Sequence, residues 1–114
     1  MTTIKSYTDL EQSRKLAEIL PPESADMWYE DGGLMIPRLG HMPKEHTNTE
    51  VPCWSLAALF GALPFVDFTM PQLIGTPKTL YRCIYNDDLK SHAYDNPVDA
   101  CYEMILKLNE LNLL

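Results

Sequence analysis

The sequence contains little of what marks a secreted or membrane protein. The first ten residues hold one lysine and no apolar run of seven or more residues, so they do not resemble a secretion signal. The longest apolar stretch, Val51 to Val66, is interrupted by prolines and polar residues and is too short to cross a bilayer. These features predict a soluble, cytoplasmic protein.

Positive charge is also scarce. The 114 residues include 16 acidic and 9 basic side chains, a formal charge of −7 that is spread over the whole chain. Nucleic-acid binding relies on clustered lysine and arginine side chains, so the sequence disfavours direct binding of DNA or RNA. Modulation of a nucleic-acid enzyme through an acidic surface stays open as an alternative.

Cysteine occurs three times, at Cys53, Cys83 and Cys101, an odd number with wide spacing. This spacing does not match a disulfide framework or a zinc knuckle, and it predicts reduced thiols in an apolar interior. A free cysteine in such surroundings behaves as a small hydrophobic residue.

Residues suited to catalysis or metal binding are few. His41 and His46 flank Glu45, but their spacing in a proline-containing loop gives them no common face for a metal ion. Cys83 and His92 would face each other across a predicted hairpin, yet a buried thiol has a raised pKa and is unreactive. The sequence therefore predicts no catalytic residue, no cofactor site and no metal site.

Helical signals occur in three segments. Thr8 to Glu11 matches a capping box, which predicts a first helix that begins at Thr8 and ends at Pro21-Pro22. Pro52 to Leu63 is apolar on nearly every side, so we expect a helix buried at the centre of the core or shared with a second copy. Its small residues would let neighbouring backbones approach closely.

The last helix has the strongest local signals. Asn96 suits the cap, and Pro97 suits the first helical position because its missing N–H is not needed there. Val98, Cys101 and Ile105 recur at three- and four-residue spacing, which predicts a buried stripe. Met104, Leu108 and Leu111 continue this stripe.

Strand-like segments fill the rest of the chain. Met27 to Glu30 and Leu34 to Ile36 predict a hairpin around Asp31-Gly32-Gly33, with the second strand ending at Pro37. Arg38 to Glu50 is predicted to be a loop. Phe65 to Ile74, Thr79 to Tyr85 and Leu89 to Tyr94 complete the strands.

The faces of the strand Thr79 to Tyr85 can also be predicted. Tyr81, Cys83 and Tyr85 are expected to point inward, because the opposite choice would bury Arg82. Together the elements follow the order helix, two strands, helix, three strands, helix. Tight turns between strands predict a single two-layer α+β domain over residues 1–114, with three helices on an antiparallel sheet of about four to five strands.

Three segments carry a resemblance to a known family: Tyr7 to Ala17, Pro52 to Leu59, and Asn96 to Ile105. In these segments the chain is similar to small uncharacterised proteins from gut Bacteroidales and their phages or prophages. The loops from Glu30 to Glu50 and from Phe65 to Thr79 are covered least. The family supplies no activity, cofactor or catalytic residue, so the resemblance implies only a bacterial cytoplasm and an accessory role on a mobile element.

A possible interaction surface is the remaining functional signal. Aromatic and methionine side chains are enriched at the centres of protein interfaces, and several occur around the first hairpin. The candidates there are Trp28, Tyr29, Met35 and Met42, with Leu113 and Leu114 at the chain end. The alternative is a small satellite core beneath the loop.

The sequence therefore favours a protein-interaction or structural accessory protein over an enzyme. Its partner would be another protein or a second copy of the chain. A small-molecule binder or minor enzyme is the alternative, with a pocket lined by His92, Arg82 or Asp95.

Overall fold

The computed structural model describes residues 5–30, 36–40, 50–64, 72–75, 80–86 and 89–114. Within these residues the chain is an α+β fold with three helices and two antiparallel three-stranded sheets, which confirms the predicted class. The helices are α1 (Leu10–Ala17), α2 (Leu56–Ala62) and α3 (Pro97–Glu110), and a 3₁₀ turn covers Pro22–Ser24. The strands are β1 (Met27–Tyr29), β2 (Arg38–Leu39), β3 (Val51–Cys53), β4 (Gln72–Gly75), β5 (Tyr81–Asn86) and β6 (Leu89–Lys90).

The strands form two sheets rather than the single sheet predicted. The first has the order β2–β1–β3 and the second has the order β4–β5–β6. The prediction missed β3, because Pro52 and Cys53 were assigned to the start of a helix. Pro52 lies instead in this edge strand, where a missing N–H is tolerated. The helix begins four residues later, where the Ser55 hydroxyl accepts a hydrogen bond from the amide of Ala58.

The first helix also begins later than predicted. Its cap is Asp9, and Asp9 and Gln12 form the reciprocal hydrogen bonds of a capping box. Thr8 cannot serve as the cap, because its hydroxyl is fully buried and bonded elsewhere. The helix ends at Ala17, ahead of Pro21-Pro22.

The first hairpin differs from the prediction in its second strand. β1 pairs with β2 so that Met27 lies opposite Leu39 and Trp28 lies opposite Arg38. The paired residues thus follow Pro37, where the strand had been expected to stop, and belong to the segment predicted as a loop. The predicted turn Asp31 to Gly33, together with Leu34 and Met35, lies outside the described residues.

The second sheet has the predicted orientation. Cys83 and Tyr85 are buried on β5, whereas Arg82 is exposed. β4 corresponds to the end of the predicted strand Phe65 to Ile74, and residues 65–71 lie outside the described part of the chain. β6 is shorter than predicted, although Tyr94 still forms a backbone bridge to Tyr81.

The last helix, α3, confirms the prediction in most details. Asn96 caps it by accepting a hydrogen bond from the amide of Asp99, and Pro97 occupies the first turn. The predicted stripe from Val98 to Leu108 is buried against β5 and α2. Leu111, which was expected to extend the stripe, is exposed.

Within this single chain the helix α2 is not the centre of the core, whereas a core shared with a second copy stays a prediction. Leu59 is fully buried in it, whereas Ala57 and Gly61 are exposed. A methyl group added at Gly61 would meet no atom within 4 Å, so no close backbone approach requires this glycine. The centre of the core is formed by Trp54 and α3.

A smaller buried cluster lies on the first sheet. It contains Met27, Tyr29, Val51 and Cys53, with Tyr7 and Leu10 packed against it. Among the helices of the described ranges, none has the length and apolar character needed to traverse a bilayer.

Candidate interaction surface

A buried polar network fixes the first sheet to the start of α1. Thr8 is fully buried, and its Oγ1 accepts a hydrogen bond from the amide of Trp54 at 3.1 Å. The hydroxyls of Thr8 and Ser13 share a hydrogen bond of 2.8 Å. The backbone amide of Thr8 also donates to the carbonyl of Trp54 at 2.9 Å, so this point is held through both backbone and side chain.

Tyr29 and Cys53 complete the network from the sheet. The Tyr29 hydroxyl donates to the carbonyl of Thr8 at 2.7 Å, and the Cys53 thiol donates to the same oxygen at 3.4 Å. Burial raises the pKa of Cys53, with hydrogen bonds from its neighbours offsetting this only in part. Burial likewise raises the pKa of Tyr29. Both groups are therefore neutral at pH 7, and Tyr29 lies beneath the surface rather than on it.

The apolar face of this sheet continues past the part that α1 covers. Cys53, Met27 and Leu39 lie opposite one another on β3, β1 and β2, so their side chains share one face. Along this row the side chains pass from fully buried Cys53 through Met27, which is 9% exposed, to Leu39, which is 83% exposed. Ile36, two residues before β2, is 80% exposed. We call these two exposed apolar residues, Ile36 and Leu39, the hairpin patch; the register places Leu39 alone of the two on the face of Met27.

The opposite face of the hairpin has an aromatic and ionic character. The Arg38 Nε lies 2.7 Å from a carboxylate oxygen of Glu30, and the guanidinium lies 6.0 Å from the ring centre of Trp28. Trp28 itself is partly buried. Because the ion pair is largely exposed, we expect it to orient Arg38 rather than to stabilise the fold substantially.

The other predicted interface residues fall in two groups. Met35 and Met42 lie outside the described residues, as do His41, Glu45 and His46. Leu113 and Leu114 are exposed, together with Leu111. The amide of Leu113 donates to the carbonyl of Leu108 at 2.9 Å, which closes the end of α3. Ile36 and Leu39 were not predicted as interface residues, because their signal in the sequence is no more than an apolar residue on either side of Pro37-Arg38.

A charged cluster joins the first turns of α1 and α3. The ammonium group of Lys5 lies 2.9 Å from Asp99 and 3.1 Å from Asp9, and the Gln12 amide donates to Asp99 at 2.8 Å. Burial alone would raise the pKa of Asp99, but hydrogen bonds from Asn96, Gln12 and Lys5 outweigh it and hold the pKa below its ordinary value. The cluster therefore acts as a clamp between the two helices.

His92 does not face Cys83 as the hairpin prediction suggested. Its side chain is 79% exposed, and Nδ1 contacts Glu103 on α3, whereas Cys83 is fully buried. The backbone amide of His92 also donates to Glu103 at 2.6 Å. Burial would raise the pKa of Glu103, but the hydrogen bonds from His92 lower it overall. Glu103 thus holds the segment after β6 against α3, and the Lys107 ammonium group donates to the carbonyl of Lys90 at 2.9 Å.

Among the described contacts, the residues expected to line a pocket are not grouped around one another. Arg82 is exposed on β5, and the Asp95 carboxylate accepts a hydrogen bond from the side-chain amide of Asn96 at 2.9 Å. Within the ranges that the structure describes, no three His, Cys, Asp or Glu side chains are grouped to hold a metal ion. No family model, curated protein or solved structure matches the chain.

Proposed function

We propose that the protein is a small interaction module that binds a partner protein through the hairpin patch. The observation that carries this proposal is the row Cys53–Met27–Leu39, in which an apolar face continues from a buried cluster to an open edge. A partner that covered Leu39 would extend an existing apolar face rather than create a new one. The two side chains of the patch would each contribute about 1.5–3 kcal/mol on full burial.

Side-chain packing supports this proposal better than strand addition does. β2 is two residues long and follows Pro37, and natural edge strands use shortness and proline to discourage pairing with other chains. The patch is also too small to be a complete interface, since about 800 Å² per partner is usual. We therefore regard Ile36 and Leu39 as the centre of a larger contact surface.

Charge favours a different protein over a second copy as the partner. Two copies would each bring a net charge of −7, and they would repel each other as they approach. A partner with an apolar surface flanked by basic residues would be attracted instead. The resemblance to Bacteroidales and phage proteins adds a bacterial cytoplasm as the setting, with an accessory role on a mobile element.

The test compares capture by matched variants. Leu39→Lys changes the patch, and Ile74→Lys makes the same change at an exposed position of the second sheet. We expect a protein from bacterial cytosol to be retained by the wild type and by Ile74→Lys but lost with Leu39→Lys. Thermal midpoints of both variants equal to that of the wild type would show that neither one acts by unfolding the chain.

Two results would contradict the proposal. Retention of the same proteins by Leu39→Lys would show that the patch does not bind them. Sedimentation equilibrium that gave a dimer for the wild type and a monomer for Leu39→Lys would assign the patch to a second copy of the chain.

A further inference from the structure

The second sheet packs against α3 with one of its two sides. Cys83 and Tyr85 are buried on that side. Leu73 and Leu89, on the neighbouring strands, contact the same core cluster. Because successive side chains of a strand point to opposite sides of a sheet, the residues between these face away from α3. We call them the outer face, and they are Ile74, Arg82, Ile84 and Lys90.

Strand pairing brings basic and apolar side chains of the outer face next to each other. Ile74 lies opposite Arg82, and Ile84 lies opposite Lys90. Ile74 is 41% exposed, Ile84 is partly exposed, and both basic residues are exposed. Arg82 and Lys90 are diagonal neighbours on adjacent strands, so their backbones are about 7–8 Å apart. The outer face therefore presents two positive charges beside two isoleucines.

The charge of the outer face is opposite to that of the chain as a whole. The chain has a formal charge of −7, but Arg82 and Lys90 are the only charged residues in β4, β5 and β6. In the part of the chain that the structure describes, neither side chain has a carboxylate partner. Carboxylates of another molecule can therefore pair with them without breaking an existing ion pair.

We propose that the outer face binds an acidic amphipathic helix of a partner protein, at a site separate from the hairpin patch. Carboxylates four residues apart lie on the same side of a helix, with about 5–6 Å between their Cβ atoms, so the long side chains of Arg82 and Lys90 can reach both. The apolar stripe of the same helix would cover Ile74 and Ile84. The sheet would then have a helical layer on each of its two sides, which is a common layered architecture.

The composition of the outer face favours such a helix over a single-stranded nucleic acid. Nucleic-acid bases stack on aromatic side chains, and the tyrosines of β5, Tyr81 and Tyr85, lie on the side toward α3. The net charge of −7 also repels a polyanion, whose charge is carried on every phosphate. A helix carries fewer charges and gains from contact with the isoleucines.

The experiment titrates the full chain into a fluorescein-labelled synthetic peptide. The peptide is about 20 residues long, with leucine at three- and four-residue spacing and glutamate on both sides of this stripe. Fluorescence anisotropy gives the dissociation constant. We expect saturable binding that weakens with added salt. A matched peptide with glutamine in place of glutamate should bind at least about tenfold more weakly.

Charge-reversal variants locate the site. Arg82→Glu and Lys90→Glu should each weaken peptide binding about tenfold or more, because attraction becomes repulsion. Arg14→Glu changes the net charge equally at an exposed position of α1, and its dissociation constant should stay within about twofold of the wild type. Leu39→Lys should also bind the peptide as the wild type does, because it alters only the hairpin patch.

NMR spectra of the wild-type chain locate the peptide even if a variant fails to fold. Peptide-induced shifts centred on Ile74 and Ile84 would support the proposal, whereas shifts centred on Ile36 and Leu39 would place the helix on the hairpin patch and overturn it. The proposal would also be overturned by absence of saturable binding, by an equal loss with Arg14→Glu, or by tighter binding of a single-stranded RNA oligonucleotide than of the peptide.

Discussion

Removing the buried hydroxyl of Thr8 should destabilise the protein far more than its small size suggests. Thr8→Val keeps the shape of the side chain but deletes the oxygen that bonds Trp54 and Ser13. Both of those groups lie in a region from which water is excluded, because Thr8, Ser13 and Trp54 are all fully buried. Valine therefore leaves a backbone N–H and a hydroxyl without their partner.

The size of the effect follows from the cost of unpaired buried groups. Each one costs about 1–3 kcal/mol, and the Ser13 hydroxyl can recover part of this by turning toward Cys53, so we expect a loss of about 2–4 kcal/mol. A domain of this size is stable by roughly 5–15 kcal/mol. With a urea dependence of about 1.5 kcal/mol per molar, the unfolding midpoint should fall by about 1.3–2.7 M.

Equilibrium unfolding in urea, followed by tryptophan fluorescence, measures this shift. Thr8→Ser is the matched control, because it keeps the hydroxyl and removes only a methyl group. The free energy of unfolding of Thr8→Ser should be lower than that of the wild type by only about 1 kcal/mol. A Thr8→Val midpoint within about 0.3 M of the wild type would refute the assignment of the network as a stabilising element.

Three further predictions concern α2, the helix clamp and Glu103. Gly61→Ala should raise the urea midpoint and increase the free energy of unfolding by about 0.5–1 kcal/mol, because the added methyl group meets open space within a helix. A lower midpoint would show a hidden contact at this position. Asp99→Asn should lower the urea midpoint of unfolding at pH 6. When the midpoints are measured over a series of pH values, the difference between variant and wild type should disappear as the pH falls below about 4. The sign follows from the lowered pKa of Asp99 in the fold, since its contribution is present above the unfolded pKa of about 3.9 and is lost on protonation. Glu103→Gln should speed amide hydrogen exchange at His92, because it weakens the hydrogen bond that the His92 backbone amide donates. His92→Ala changes an exposed ring, so the free energy of unfolding in urea should fall by less than about 1 kcal/mol.

The features that could be predicted from the sequence are those set by neighbouring residues. The cap at Asn96, the proline after it and the buried stripe of α3 are all local, and the structure has them as expected. The inward face of β5 was also predictable, because burial of Arg82 would have been costly.

The misplaced features depend on distant contacts. Thr8 and Asp9 are both good caps, and the choice between them is made by Trp54, whose amide takes up the Thr8 hydroxyl. Val51 to Cys53 is a short apolar run, and such a run does not distinguish a buried strand from the start of a helix. Its assignment as β3 comes from pairing with β1.

The hairpin patch was missed for a related reason. Met27 and Leu39 are both apolar residues on one face of the sheet. The amino-acid sequence does not indicate that Met27 is covered and Leu39 is exposed. The difference in exposure between Met27 and Leu39 depends on how far Tyr7 and Leu10, which pack on the sheet, extend across it. The exposure of the patch is therefore a property of the tertiary structure.

The long span of the Thr8 network has a consequence for how the protein is made. Thr8 leaves the ribosome before its partners Cys53 and Trp54, which follow 45 and 46 positions later. Contacts between distant positions form slowly, and here they cannot form at all until the later segment has been synthesised. Thr8 must therefore wait for Trp54 before it can dock, and β1 in turn waits for β3.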